Sequence, residues 1–170
     1  MSTVLASHKP GHGTYDVQPG QLIICVIGRP AAQGSKRHVG GGRMIEQSKH
    51  VAPWREAVRA AANDPECRTE SGGSSGGFAM PFAVGPLDVT VTFTLAKPVS
   101  APKRRRTYPD RSPDLDKLVR STLDGLTMGG VWRDDAQVVQ LTARKAYPGE
   151  HYDALTVPGA VIRISRIGVD

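Results

Sequence analysis

The chain has little of what marks a secreted or membrane-bound protein. Its 170 residues hold only 2 cysteines, Cys25 and Cys67. That is too few for a disulfide framework and points to a reducing, cytoplasmic setting. No apolar run approaches the roughly 20 residues of a membrane-spanning helix, and the N-terminus lacks the charged and apolar regions of a signal peptide. A soluble protein with no membrane partner is expected. No internal repeat is visible. His8 and His12 have neither cysteines nor a repeated spacing to make them a metal motif. Acidic residues are the scarcer charge: 16 Asp plus Glu face 22 Lys plus Arg, a net charge of +6. Such an excess favours a polyanionic partner, although basic proteins that bind nothing are common.

The length suits one domain with a hydrophobic core. Residues 1–20 read as a flexible lead-in and 21–170 as a single domain. Gln21 to Gly28 is a compact apolar run of strand length. Arg29 to Arg43 reads as a glycine-rich loop whose Lys36 and Arg37 suit phosphate contact, or as an ordinary solvated loop. Pro53 to Asn63 predicts a helix burying Trp54, Ala57, Val58 and Ala61, while Lys49, Arg55 and Arg59 face elsewhere, toward solvent or DNA. Residues 64–86 form a Gly/Ser-rich loop. Leu87 to Leu95 alternates strictly and predicts a strand with one buried and one polar face. The cations Lys103, Arg104, Arg105, Arg106 and Arg111 follow. Such a run is usually solvated, but this one leads straight into the acidic stretch. Two more alternating strands, Gln137 to Lys145 and Gly159 to Ile167, close the chain. The order β-α-β-α-β-β predicts an α+β fold, a two-layer sandwich of a small mixed sheet and two main helices.

The most informative stretch is Ser112 to Val139. It opens with Asp114 and Asp116, continues as a helix with Leu115, Leu118, Val119, Thr122 and Leu126 on one face, and breaks at Gly129-Gly130. A second acidic pair follows, Asp134 and Asp135, at the mouth of a strand. Ser112 is the expected N-cap, with Pro113 in the first turn. A helix and the next strand usually pack together, so the two acidic pairs are expected to converge. Clustered carboxylates repel unless they share a proton or a cation, and oxygen-only donors suit magnesium or manganese. Alternatively, Asp114 and Asp116 only cap the helix while Asp134 and Asp135 only shape a turn.

Asp114-Leu115-Asp116, Leu123-Asp124-Gly125-Leu126 and Gly130-Val131-Trp132-Arg133-Asp134-Asp135-Ala136-Gln137-Val138 together resemble the RusA-type Holliday-junction resolvases of bacteria and their phages. The resemblance runs without a gap from Asp114 to Val138 and more weakly over residues 21–167. It implies a magnesium-dependent endonuclease, with manganese as a substitute, resolving four-way DNA junctions as a homodimer by paired nicks. It also implies a bacterial cytoplasm and a phage or prophage origin. The family's metal-binding acids fall on Asp114, Asp116 and Asp135, with Asp134 adjacent. Its important lysine falls on Arg120, which keeps the charge but does not shed a proton. Lys117 stands where the family commonly has asparagine and joins Lys36, Arg37, Lys103, Arg104, Arg105 and Arg106 as an expected DNA contact. The alternatives are a nuclease for other branched DNA and a non-catalytic DNA-binding protein. The first would share the same catalytic residues; the second would leave the carboxylates as a repulsive obstacle to phosphate.

Overall fold

The computed structural model describes residues 21–34, 36–38, 44–46, 49–70, 84–102 and 104–168, with the backbone alone for 36–38, 44–46 and 68–70. The lead-in 1–20, most of the Gly/Ser-rich segment and Lys103 lie outside the described residues, as do the side chains of Lys36 and Arg37.

Strand β1, Gln21–Ile27, is buried from Leu22 through Val26. Leu22, Ile24 and Val26 face the helices, while Ile23 and Cys25 pack with Leu155 and Val161 on the other side. Two-sided cover explains why the segment reads as a continuous apolar run. Short strands β2, Lys36–His38, and β3, Met44–Glu46, pair as a separate hairpin in and beside the region read as loop. Helix α1, Val51–Asn63, begins two residues before Pro53, which sits in the first turn where an amide N–H has no helical acceptor. It buries Val51, Trp54, Val58, Ala61 and Ala62. Strand β4, Arg68–Glu70, is a three-residue addition along β1.

Then come β5, Leu87–Thr94; α2, Leu115–Met128; a 3₁₀ turn, Asp135–Gln137; β6, Val138–Ala146; and β7, Gly159–Arg166. The sheet order is β4-β1-β7-β5-β6. All pairings are antiparallel except β5 with β6. Both helices pack on one face, where Leu22, Ile24, Leu87, Val89, Val91, Phe93, Ile162 and Ile164 meet Trp54, Leu118 and Leu126. The result is a two-layer α+β fold whose main elements follow the order read from the sequence.

Strand β5 departs from the expected half-polar pattern, because Thr92 and Thr94 are as buried as its valines. The segment between β6 and β7 folds over that face. Leu155 N–H donates to Thr94 Oγ1 at 2.8 Å, and buried Asp153 accepts from Arg163 at 2.7 Å. A buried carboxylate survives there because the guanidinium binds it through more than one N–H.

The α1–α2 seam depends on one small residue. A Cβ on Gly125 would lie 2.8 Å from Val58 Cβ and 3.1 Å from the Arg55 carbonyl oxygen. Beside it, Trp54 Nε1 donates to Thr122 Oγ1 at 3.0 Å, which satisfies a buried indole. Helix propensity alone favours Gly125→Ala by about 1 kcal/mol. The crowded seam reverses that sign, so the variant is expected to lose about 1–3 kcal/mol by overpacking, read as a lower Tm.

Candidate active site

Helix α2 starts later than expected. Its N-cap is Asp114, whose side chain makes no capping hydrogen bond, and the cis Ser112–Pro113 bond precedes it. Ser112 is therefore not the cap. Asp114 instead pairs with Lys117 at 2.7 Å. The hydrogen bond from Lys117, reinforced by its charge, holds the Asp114 carboxyl below its ordinary range and the Lys117 ammonium above its own. Asp116 and Arg120 are exposed one turn apart along the helix. Among the described residues the Arg120 side chain has no hydrogen-bond or ion-pair partner. The helix N-terminus adds a partial positive charge that favours the two carboxylates there.

Two neighbours fix this end of α2. Ser121 Oγ donates to the Ala31 carbonyl at 2.6 Å, and Gln33 N–H donates to the Lys117 carbonyl at 3.0 Å, docking the segment after β1. Lys145, at the end of β6, donates to the Arg111 and Pro113 carbonyls at 2.9 and 3.0 Å. Its charge also lowers Asp114, behind the effects of Lys117. Sequence reading passed over Lys145. Only the β6 register, which sets it beside Phe93 of the core, shows that it turns toward α2. A groove of about 770 Å³ runs past this corner, lined by Arg29, Pro30, His50, Arg111, Ser112, Pro113 and Tyr147 among others.

The second acidic pair lies elsewhere. Asp134 and Asp135 share a shallow cavity of about 330 Å³ with Arg55, Asp124, Thr127 and Met128, at the far end of α2. Asp134 Oδ1 accepts from Ala136 N–H at 2.8 Å, while Gln137 Oε1 accepts from the N–H groups of Arg133 and Asp134 at 3.0 and 3.4 Å. This capping box commits one oxygen of Asp134 to the turn. Asp135 is exposed in the first turn of the 3₁₀ segment.

The expected convergence therefore fails within one chain. Helix α2 has 14 residues, which at about 1.5 Å each separates the pairs by roughly 21 Å. Among the described residues no three His, Cys, Asp or Glu side chains are grouped to hold a metal. The physical reason is strand polarity. Because β6 runs parallel to β5, α2 must return the chain to the end where β5 began. The helix and the next strand do pack, but their starts lie at opposite ends.

The cations divide similarly. Arg104, Arg105 and Arg106 are exposed, and Arg106 lies over the Tyr108 ring at 5.0 Å. Arg55 and Arg59, read as facing solvent or DNA, each have an acidic partner: Arg55 binds Asp124, and Arg59 binds Glu56 at 2.6 Å. Arg144 meets His151 Nε2 at 2.7 Å. Burial, then Arg144, pushes the His151 imidazole below its usual value.

A family model described as Endodeoxyribonuclease RusA matches residues 28–164. No curated protein matches the chain.

Lys145→Met would release the Arg111 and Pro113 carbonyls, at a cost of about 1 kcal/mol. Amide exchange over the first turn of α2 should rise, and Lys145→Arg should restore part of the protection. For His151 the folded pKa lies below the unfolded value of about 6.5. Its contribution to stability is complete above that value and falls as pH drops toward the folded pKa. Denaturant titrations of His151→Asn should show a flatter fall in that window than those of the unmodified chain.

Proposed function

The chain belongs to the RusA endodeoxyribonuclease family, and on that premise we propose that it cleaves four-way DNA junctions as a homodimer whose two metal sites each draw on both chains. The family assigns Holliday-junction resolution by an endodeoxyribonuclease. To this we add magnesium, paired nicks and the shared site. The observation that carries it is the separation of Asp114 and Asp116 from Asp134 and Asp135 along α2.

Ligand oxygens around magnesium sit about 2.1 Å from the ion, so two of them are no more than about 4 Å apart. Acidic pairs separated by a whole helix cannot share such an ion within one chain. A two-fold axis that lays α2 of one chain antiparallel to its copy removes the difficulty. The first pair of each chain then meets the second pair of the other, twice per dimer. Two opposed sites suit the two-fold symmetry of a four-way junction.

In this arrangement Asp114 and Asp116 hold the ion with Asp135 of the partner subunit. All three are carboxylates, which suits a hard cation. Asp134 has one oxygen committed to its turn and serves to orient Asp135. The bound metal would supply an activated water and charge relief on the phosphoryl oxygens. Arg120, always protonated, cannot act as a base and instead offers N–H donors to the non-bridging oxygens. Removing a donor of that kind lowers rate by roughly 10²–10³. Lys117 is held by Asp114, so it reaches phosphate only when that pair opens. Lys36, Arg37, Lys103, Arg104, Arg105 and Arg106 supply sequence-independent grip.

Subunit mixing tests the shared site. Asp116→Asn and Asp135→Asn should each abolish cleavage while leaving junction binding intact. After subunit exchange, the mixed dimer keeps one intact site, formed by Asp116 of one chain and Asp135 of the other. Single-strand nicking should therefore return without paired cutting. Persistent inactivity of an exchanged mixture would mean that each site is built within one chain. Independently, replacing Arg104, Arg105 and Arg106 by alanine should make the plot of log affinity against log salt shallower by up to about 3. An unchanged slope would leave the run merely solvated.

A further inference from the structure

Where the end of β6 meets the segment before α2, the polar groups are short of an acceptor. A small pocket of about 160 Å³ opens there, lined by Arg106, Thr107, Arg144, Lys145, Glu150 and His151 among others. The Asp153 amide N–H donates to His151 Nδ1 at 3.1 Å, so a neutral ring carries its proton on Nε2. Nε2 faces Arg144 Nη1 at 2.7 Å, and a guanidinium nitrogen only donates. Two N–H groups thus meet with no oxygen between them. Moving the proton to Nδ1 transfers the conflict to the Asp153 amide, and a charged ring donates from both nitrogens. Thr107 Oγ1, in the same pocket wall, is buried with no hydrogen-bond partner among the described residues.

The charges agree with the hydrogen bonds. Arg106, Arg144 and Lys145 line the pocket against one carboxylate, Glu150. That carboxylate is already engaged: Lys97 Nζ donates to it at 2.6 Å and the Thr107 amide at 3.2 Å. Asp153 is bound by Arg163, and the Tyr152 ring lies 4.1 Å from the imidazole. Arg106 lies over the Tyr108 ring, which leaves the edge of its guanidinium for an anion. Burial, then Arg144, with Arg106 and Arg163 behind it, holds the His151 imidazole below its ordinary pKa, and Asp153 opposes them.

We propose that this pocket binds one phosphate of the DNA backbone, whose oxygens accept from His151 Nε2, Arg144, Thr107 Oγ1 and Arg106. Its volume falls short of the roughly 300 Å³ at which sites for drug-sized ligands begin, and suits a single phosphoryl group. Position favours a DNA strand over free phosphate. Lys145 lines the pocket and also donates to the Arg111 and Pro113 carbonyls, just before Asp114. A phosphate held here fixes the strand beside Asp114 and Asp116. The proposal rests on the nuclease reading and adds to it a shaped anchor, distinct from the exposed Arg104 and Arg105. Binding also couples to pH. A phosphate beside the ring raises the His151 pKa, so junction affinity should strengthen as pH falls through the bound-state value and level off below the free-state value.

The test uses the full chain without metal, so that the DNA stays whole. The His151 ring signals in proton–carbon NMR spectra, assigned by their loss in His151→Gln, should shift with inorganic phosphate and with a four-way junction. Chloride at equal ionic strength should leave them in place. Arg144→Met should abolish both shifts, weaken junction binding about tenfold and make the plot of log affinity against log salt shallower by about 1. A response to inorganic phosphate without one to the junction would leave a site for free anions and overturn the assignment to DNA. No response to either overturns the pocket, a result that needs no folded variant. A junction-induced shift in a chain that cuts no DNA once magnesium is added would uphold the pocket and sink the nuclease reading instead.

Discussion

The parallel pairing of β5 with β6 governs the placement of the two acidic pairs. A parallel neighbour cannot be reached by a tight turn, so the chain must travel the length of the strands before β6 begins. Helix α2 makes that journey. Its N-terminus lies where β5 and β6 end, beside Lys145, and its C-terminus where they start, beside Asp135. Reversing the pairing would put Asp114 and Asp135 at one end and leave a single chain with a complete acidic cluster. The polarity of one strand pair thus separates the carboxylates that the proposed chemistry would bring together.

The two helices divide their surfaces between this chemistry and the core. The inner side of α2 uses Leu118, Thr122, Gly125 and Leu126 to meet α1 and the sheet. Close approach at Gly125 brings Arg55 to Asp124, so two charges that look available in sequence neutralise each other across the seam. The outer side keeps Asp116 and Arg120 exposed. Overpacking at Gly125 would therefore disturb both the core and the orientation of the outer residues.

Much of the fold was legible because its signals are local. Alternation marked β5 and β7, the 3.6-residue period marked both helices, and Gly129-Gly130 marked the end of α2, where Gly130 takes φ of +73°. The short strands β2, β3 and β4 were not legible, since three residues carry no periodicity. Burial of Thr92 and Thr94 was hidden too, because the segment around Leu155 that covers them lies about sixty positions away. For the site, residue types and spacing identified the acidic pairs, but their relation depends on strand direction, which hydrophobic pattern does not encode. Lys145 and the Arg55–Asp124 pair were missed for the same reason: each acquires its role from a long-range partner.

Separation of the acidic pairs also resolves an electrostatic problem of the folding chain. Four carboxylates gathered in one place would repel by several kcal/mol in a partly desolvated site unless a cation were present throughout folding. Kept a helix length apart, each pair finds local compensation: Asp114 in Lys117 and the helix N-terminus, Asp134 in the amide of Ala136. The fold can thus form without metal. In the proposed dimer the repulsive cluster assembles only when two chains meet, and it does so at both sites together because of the two-fold symmetry. Cleavage would then be coupled to assembly, and a lone chain carrying the same basic surface would hold DNA without cutting it.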